Sequence, residues 1–383
     1  MDESIINLYI FDESSRASVY GIGTYIRELS FALKNSSINV CVVHLRSDKP
    51  EKEPEATVNF RHLYIPSPVI RRNSYDLYYR NVVYLLQLYI INKNNLVFHL
   101  NFSHNGHLVD ELRKAFDCRI ISTIHYFNFG KKSVENEELH HSKVDHVVCL
   151  SYYMQKILCC DYNINAVKTS VIYNGLTDIS DINSDIIFLR KKLNIPVNYS
   201  VILFVGRLDK SKGLKYLLQA FRIVLKSVPD CQLFITGNGA FNDFFKECDD
   251  IWMNITWTGL IEKNKLYDLY SIADIGVLPS FNEQCSYVAI EMMMHGLSMI
   301  TTNAPGLSEM TEDGVSSLQV PVIENSDNME INPELFAEKI LFLLTHPKES
   351  KILGENARNR YVKHYSGDLF RNNMLDFYQS LFE

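Results

Sequence analysis

The chain has 383 residues, 46% of them hydrophobic and 22% charged, with a formal charge of −7. One hydrophobic core stops growing at roughly 250–300 residues, so this length predicts two domains. The acidic balance argues against a nucleic-acid binder, and the most apolar stretch, Val82–Ile91, falls far short of the roughly 20 residues that cross a bilayer.

The start Met-Asp-Glu-Ser carries no basic segment and no apolar run. The expectation is a cytoplasmic protein with at most peripheral membrane contact at the inner face. Short β-branched runs then alternate with helical patterns throughout, the mark of parallel sheets with crossover helices. Ile5–Phe11 reads as a strand, followed by a polar loop, Gly21-Ile22-Gly23, and a helix from Thr24 to about Lys34. Val40–Leu45, Leu96–Asn101, Ile120–His125 and Val144–Leu150 read as strands, with helices at Val82–Asn92 and Ser151–Cys160. Val171–Gly175 reads as a strand running into a turn, and the Asp-rich stretch Thr177–Ser184 as a linker. The alternation restarts with a strand at Val201–Val205, a Gly206 turn and a helix at Leu214–Lys226. Strands follow at Gln232–Thr236, Ile255–Gly259, Ile275–Leu278 and Met299–Thr302. Helices at Pro333–Leu344, Ser350–His364 and Asp368–Leu381 end the chain, the last with a stripe of Phe370, Met374, Phe377 and Leu381.

Two constellations carry chemistry. In Pro279-Ser-Phe-Asn-Glu283-Gln-Cys-Ser-Tyr-Val-Ala-Ile-Glu291 a strand ends, a loop holds Glu283, and a helix starts near the N-cap Ser286. A helix N-terminus there suits an anion, and carboxylates on either side suit hydroxyls. A nucleotide-sugar has that layout; solvated helix-start charges are the alternative. In Phe204-Val-Gly206-Arg207-Leu-Asp-Lys-Ser-Lys212-Gly213 a strand again ends in a glycine turn. Arg207 and Lys212 follow, where open α/β sheets bind ligands, and two cations can neutralise a diphosphate without metal. Taken singly they read as surface charges.

Together these motifs resemble the retaining glycosyltransferases of family 4, which have the GT-B fold. The match spans nearly the whole chain: Gly21-Ile-Gly23-Thr-Tyr, His125, Val171–Gly175, the Arg207–Gly213 loop, Thr236-Gly-Asn-Gly239, Trp257-Thr-Gly-Leu260, the Glu283/Glu291 pair, and Asn303-Ala-Pro-Gly306-Leu-Ser-Glu309. The resemblance implies two Rossmann-like domains whose parallel sheets face a cleft. The acceptor domain would span 1–180 and the donor domain 181–365, with a last helix, 366–383, crossing back. It also implies roles. Arg207 and Lys212 hold the donor diphosphate, and Glu291 the ribose. Glu283 touches the donor sugar near the reacting carbon. Backbone amides at Cys285, Ser286 and Tyr287 cradle sugar and distal phosphate. Asn238 and Leu260 face the base, Gly23 closes onto the donor, and His125 contacts the donor sugar or positions the acceptor.

The implied reaction is sugar transfer with retention from a UDP- or GDP-sugar to a glycan, lipid-linked glycan or peptide, with no metal and no other cofactor. An epimerase on the same fold and a non-catalytic nucleotide-sugar-binding subunit are the rivals. The family's Gly-Phe-Gly after the first Glu is here Gln284-Cys285-Ser286. This departure changes the sugar pocket, and the variant is similar to a bacterial subgroup associated with peptide-modification gene clusters. Ile26 stands where a nicotinamide-binding turn wants Gly or Ala, which argues against a dehydrogenase. No Asp-x-Asp triplet occurs, so the usual metal ligands of the other main glycosyltransferase class are missing. The eight cysteines lack C-x-x-C spacing and read as buried thiols. His140-His141 reads as surface sequence. Tyr78 and Tyr79 read as core, or as the lining of an acceptor groove.

Overall fold

Seven strands form the first sheet: β1 (Ile6–Asp12), β2 (Ile38–Leu45), β3 (Phe60–Ile65), β4 (Leu96–Leu100), β5 (Cys118–Ile124), β6 (His146–Cys149) and β7 (Thr169–Val171). They run in the order β3-β2-β1-β4-β5-β6-β7, and every pair is parallel. Their near-continuous apolar runs follow from burial on both faces by crossover helices. The second sheet holds β8 (Ser200–Val205), β9 (Cys231–Thr236), β10 (Ile255–Gly259), β11 (Ile275–Leu278), β12 (Ser298–Thr302) and β13 (Leu318–Val320). Its order is β10-β9-β8-β11-β12-β13, again all parallel. Both sheets therefore reverse strand order once, between β1 and β4 and between β8 and β11. That reversal defines the ligand crevice of a doubly wound α/β fold.

The computed structural model describes residues 5–12, 21–34, 36–46, 57, 59–66, 75–102, 106–125, 141–180, 185–325 and 328–383. The chain divides into one unit of Met1–Gly175 with Gly367–Glu383, and a second of Leu176–Ser366. The initial Met-Asp-Glu-Ser, the loop before Gly21, His140 and part of the Asp-rich linker lie outside the described residues.

Several elements differ from the sequence expectation. Gly21 and Gly23 lie inside the first turn of a helix, Gly21–Leu33, and not in a loop before it. The helix expected at Val82–Asn92 spans Tyr75–Tyr89. Its Tyr78 and Tyr79 sit in the core with Tyr9, Phe11 and Phe98, which leaves them no groove to line. Strand β3 and the helices Gly106–Ala115, Ile186–Lys192 and Lys263–Ile272 were not expected. All eight cysteines are free thiols; Cys160 is exposed and Cys118 and Cys159 are half-buried, so burial holds for five.

The last helix, Gly367–Ser380, belongs to the first unit. It buries Phe370, Met374, Phe377 and Tyr378, while Leu381 falls beyond its end. A buried hydrogen-bond chain ties it down. Tyr378 Oη lies 2.7 Å from His99 Nδ1, and His99 Nε2 lies 2.7 Å from Thr123 Oγ1. Thr123 Oγ1 is 3.1 Å from Tyr25 Oη on the first helix. Burial, reinforced by neighbouring His125, lowers the His99 pKa to about 3. His99 is thus neutral in the fold, while the unfolded chain protonates near its ordinary value of about 6.5. Stability of this unit therefore falls as pH drops from 6.5 toward 3, because only the unfolded state takes up that proton. We predict that His99→Gln flattens the acid limb of the unfolding free energy by about 1.4 kcal/mol per pH unit between pH 6 and 4. Denaturant titrations across pH measure this; parallel limbs in the two proteins would refute it.

Candidate active site

Both conspicuous glycine turns of the second unit exist because backbones meet there. Asp209 caps the short turn Lys210–Lys212 by accepting from the Ser211 amide at 2.9 Å. Gly213 follows with φ +64, and a Cβ there would lie 1.9 Å from the carbonyl oxygen of Pro279. Only glycine allows that approach. It presses the loop after β8 against the loop after β11, where the Phe281 amide donates to Ser211 O at 2.9 Å. From the other side, a Cβ on Gly306 would stand 2.1 Å from Glu283 O and 2.6 Å from Gln284 O.

This clamp sets an ion pair at the strand-order reversal. Lys212 Nζ donates to Glu283 Oε1 at 2.5 Å, and Ser280 Oγ donates to the same oxygen at 2.9 Å. The two charged side chains are only 18% and 14% exposed. Arg207 is 49% exposed and reaches Asp209 more loosely, at 3.4 Å. The neighbouring turn is stitched alongside: Leu208 N donates to Asn238 O, and a Cβ on Gly237 would lie 1.8 Å from Gly206 O. Leu260 follows Gly259 and is exposed.

The helix Tyr287–Met294 starts at Ser286, whose Oγ accepts from the Ala289 amide at 3.4 Å. Gln284, Cys285, Ser286 and Tyr287 are all buried. The Ser286 amide donates to Met310 Sδ at 3.1 Å, a weak acceptor. Glu291 is buried too. Its Oε2 accepts from Tyr270 Oη at 2.8 Å, and its Oε1 lies 3.7 Å from Lys263 Nζ. Arg207, Lys212, Asn238, Leu260, Glu283, the 285–287 turn and Glu291 thus all belong to one unit.

Gly23 and His125 belong to the other unit. His125 follows β5 directly, and Tyr25 packs edge-on against its ring at 4.6 Å. Asn101 Nδ2 donates to Phe11 O at 3.1 Å, which turns Asn101 Oδ1 toward His125 Nε2 at 3.0 Å. Nε2 therefore carries the hydrogen and Nδ1 is the acceptor. Desolvation lowers the His125 pKa to about 3, so the imidazole is neutral.

Sequence reasoning missed Tyr270, Lys263 and Met310, which no local motif marks, because each reaches the site through tertiary packing. Ser280 lies inside the Pro279–Glu291 motif, three residues before Glu283, and its role comes from the structure alone. A cavity of about 650 Å³ lies at the N-terminal ends of β8, β11 and β12, lined by Ser200, Asp274, Ser298 and Ser350. It contains neither Lys212 nor either glutamate. Among the described residues, no three His, Cys, Asp or Glu side chains group as metal ligands, and no helix is long and apolar enough to cross a membrane.

Two family models match the chain. Glycosyltransferase Family 4 covers residues 19–178, and Glycosyl transferases group 1 covers residues 185–360. The chain belongs to glycosyltransferase family 4. An uncharacterized glycosyltransferase of Methanocaldococcus jannaschii is 27% identical over 62% of this chain and 60% of its own length. The spore coat protein SA of Bacillus subtilis is 25% identical over 71% and 75% of the two chains. Among solved structures, the sucrose-phosphate synthase of Thermosynechococcus elongatus superposes with a TM-score of 0.81 at 20% identity, covering 98% of this chain and 99% of that one. An Anabaena protein in complex with UDP and glucose gives 0.80 at 15% identity, covering 98% and 100%. Both place the chain in the GT-B fold.

At Gly306 a single added atom would disturb the Glu283 loop directly. Gly306→Ala must push away the Glu283–Gln284 backbone, at an overpacking cost of about 1–3 kcal/mol. We predict a folded variant with a lowered melting temperature and weakened nucleotide diphosphate binding by calorimetry. Unchanged affinity would show that the Glu283 loop does not depend on this contact.

Proposed function

We propose that the chain transfers a sugar from a nucleotide diphosphate sugar, with retention at the anomeric carbon, to a glycan, lipid-linked glycan or peptide acceptor. The observation that carries this reading is the Lys212–Glu283 pair at the β8/β11 reversal. As the bond to the sugar breaks, the diphosphate gains negative charge. Lys212 and Arg207 stand where they can receive it, and for Lys212 the desolvation is already established in the fold. Glu283 then faces the donor sugar, Glu291 the ribose, and Asn238 and Leu260 the base. Amides at Cys285 and Tyr287 would cradle the sugar; that of Ser286 would first have to leave Met310 Sδ. Gly23 meets the donor from the first unit's helix, and His125 offers the neutral Nδ1 to a sugar or acceptor hydroxyl.

A diphosphate neutralised by two side chains needs no divalent ion. Donor turnover should therefore survive EDTA; loss of activity restored by magnesium or manganese would count against the reading. Lys212→Ala removes a charge-assisted hydrogen bond to the leaving group. Binding of UDP or GDP should weaken by about tenfold or more, and kcat for donor turnover should fall, with the melting transition retained. A folded variant with wild-type kinetics would exclude the role.

A further inference from the structure

Two partners of the Glu291 carboxylate come from one helix. Tyr270 and Lys263 sit at opposite ends of Lys263–Ile272, the helix between β10 and β11. Tyr270 is 2% exposed, and its hydroxyl donates to Glu291 Oε2 at 2.8 Å. Burial, with the Glu291 charge beside it, raises its pKa well above the ordinary range, so it remains a neutral donor. Its ring stacks on His295 at 5.1 Å, and His295 Nδ1 is 2.9 Å from the Glu291 carbonyl. Tyr270 is therefore held against the same helix that carries the carboxylate.

Lys263 differs in kind. Its side chain is 32% exposed, its Nζ lies 3.7 Å from Oε1, and it also reaches over the Tyr267 ring at 5.4 Å. A long, flexible, strongly hydrated cation at that separation is easily exchanged. One oxygen is thus held by a fixed donor, while the other faces a cation that can be exchanged. An ionised carboxylate has about four lone-pair positions, more than one tyrosine donor fills.

We propose that the helix Lys263–Ile272 positions the ribose-binding carboxylate: Tyr270 fixes Glu291 Oε2, and Lys263 holds Oε1 until the ribose 2′,3′-diol takes its place. This rests on the assignment of Glu291 to ribose. Tyr270 is a positioning residue that acts through Glu291 and touches no substrate. Lys263 stands only three residues beyond Leu260, so one short segment links the side chain assigned to the base with the one that prepares the ribose site.

The test compares ribose with dideoxyribose nucleotides on the full chain. UDP, GDP and ADP are titrated calorimetrically, and the tightest binder is then compared with its 2′,3′-dideoxy form. Tyr270→Phe keeps the ring and loses the donor. Its affinity for the ribonucleotide should fall by about tenfold, as for one lost hydrogen bond to a charged group, with dideoxy affinity unchanged. Donor KM should rise with kcat nearly constant. The double variant Tyr270→Phe/Glu291→Gln should bind like Glu291→Gln alone, since the tyrosine works only through the carboxylate. Equal losses for ribo and dideoxy forms, or additive effects in the double variant, would overturn the proposal. Should Tyr270→Phe not fold, Lys263→Met at the exposed end removes the cation that the diol displaces and should widen the ribo/dideoxy ratio; an unaltered or narrowed ratio counts against it. If Glu291→Gln itself keeps full discrimination, the ribose assignment has failed and the proposal falls with it. If Glu291→Gln loses discrimination while Tyr270→Phe keeps it, only the positioning role is lost.

Discussion

Lys212 and Glu283 come from loops that follow neighbouring strands, and the site depends on how closely those loops approach. A partly buried ion pair adds little net stability, since desolvation offsets most of the attraction. Such a pair is better understood as a charge held ready. The cost of stripping water from Lys212 is met in folding by Glu283, whose Oε1 also accepts from Ser280. Under the proposed function, an arriving phosphate oxygen exchanges with a carboxylate oxygen and not with bulk water. The glycines at 213 and 306 make this possible: a side chain at 213 would drive the two loops apart, and one at 306 would displace the Glu283–Gln284 backbone from its other side.

The two units share a topology, yet their equivalent crevices carry opposite chemistry. In the second unit the reversal point holds cations. In the first it holds Asn101 and His125, with His99 close by, and burial lowers both histidines' pKa values to about 3. Neutral imidazoles and an amide are poor partners for a diphosphate. They suit hydroxyl groups, which exchange one donor and one acceptor each. The proposed function requires a phosphate-binding unit and a hydroxyl-binding unit, and local electrostatics on one shared scaffold is consistent with that division. The C-terminal helix enters this arrangement through Tyr378, which fixes His99 and through Thr123 the position of Tyr25 against His125.

What the sequence made legible follows from how each element is stabilised. The strands of the second sheet are short apolar runs bounded by turns, and Ile255–Gly259 and Ile275–Leu278 stand where the pattern puts them. Edge strand β3, Phe-Arg-His-Leu-Tyr-Ile, is only half buried and shows no such run. The helix Lys263–Ile272 begins Lys-Asn-Lys and has a weak apolar stripe, so it reads as loop. The Glu283/Glu291 spacing was visible because both lie on one loop–helix unit. Tyr270, 21 residues from Glu291, was not, since nothing local demands a tyrosine there.

The Gln284-Cys285-Ser286 departure is clarified by backbone geometry. Glycines in such a loop are needed where φ is positive or where another backbone must come close. Among the described residues, positive φ occurs at Arg46, Asn95, Asn163, Asn194 and six glycines, and none of these is in 284–286. Ser286 itself is extended, with φ −70 and ψ 117. The close approach to this loop comes from Gly306, which packs against the carbonyls of Glu283 and Gln284. Conformation therefore places no demand for glycine on 284–286, and all three residues are buried. The departure thus acts through volume and hydrogen bonding. A polar amide, a thiol and a hydroxyl stand in a turn where the family pattern has a phenylalanine between two glycines, and under the proposed function the donor sugar is the part of the substrate that must fit them.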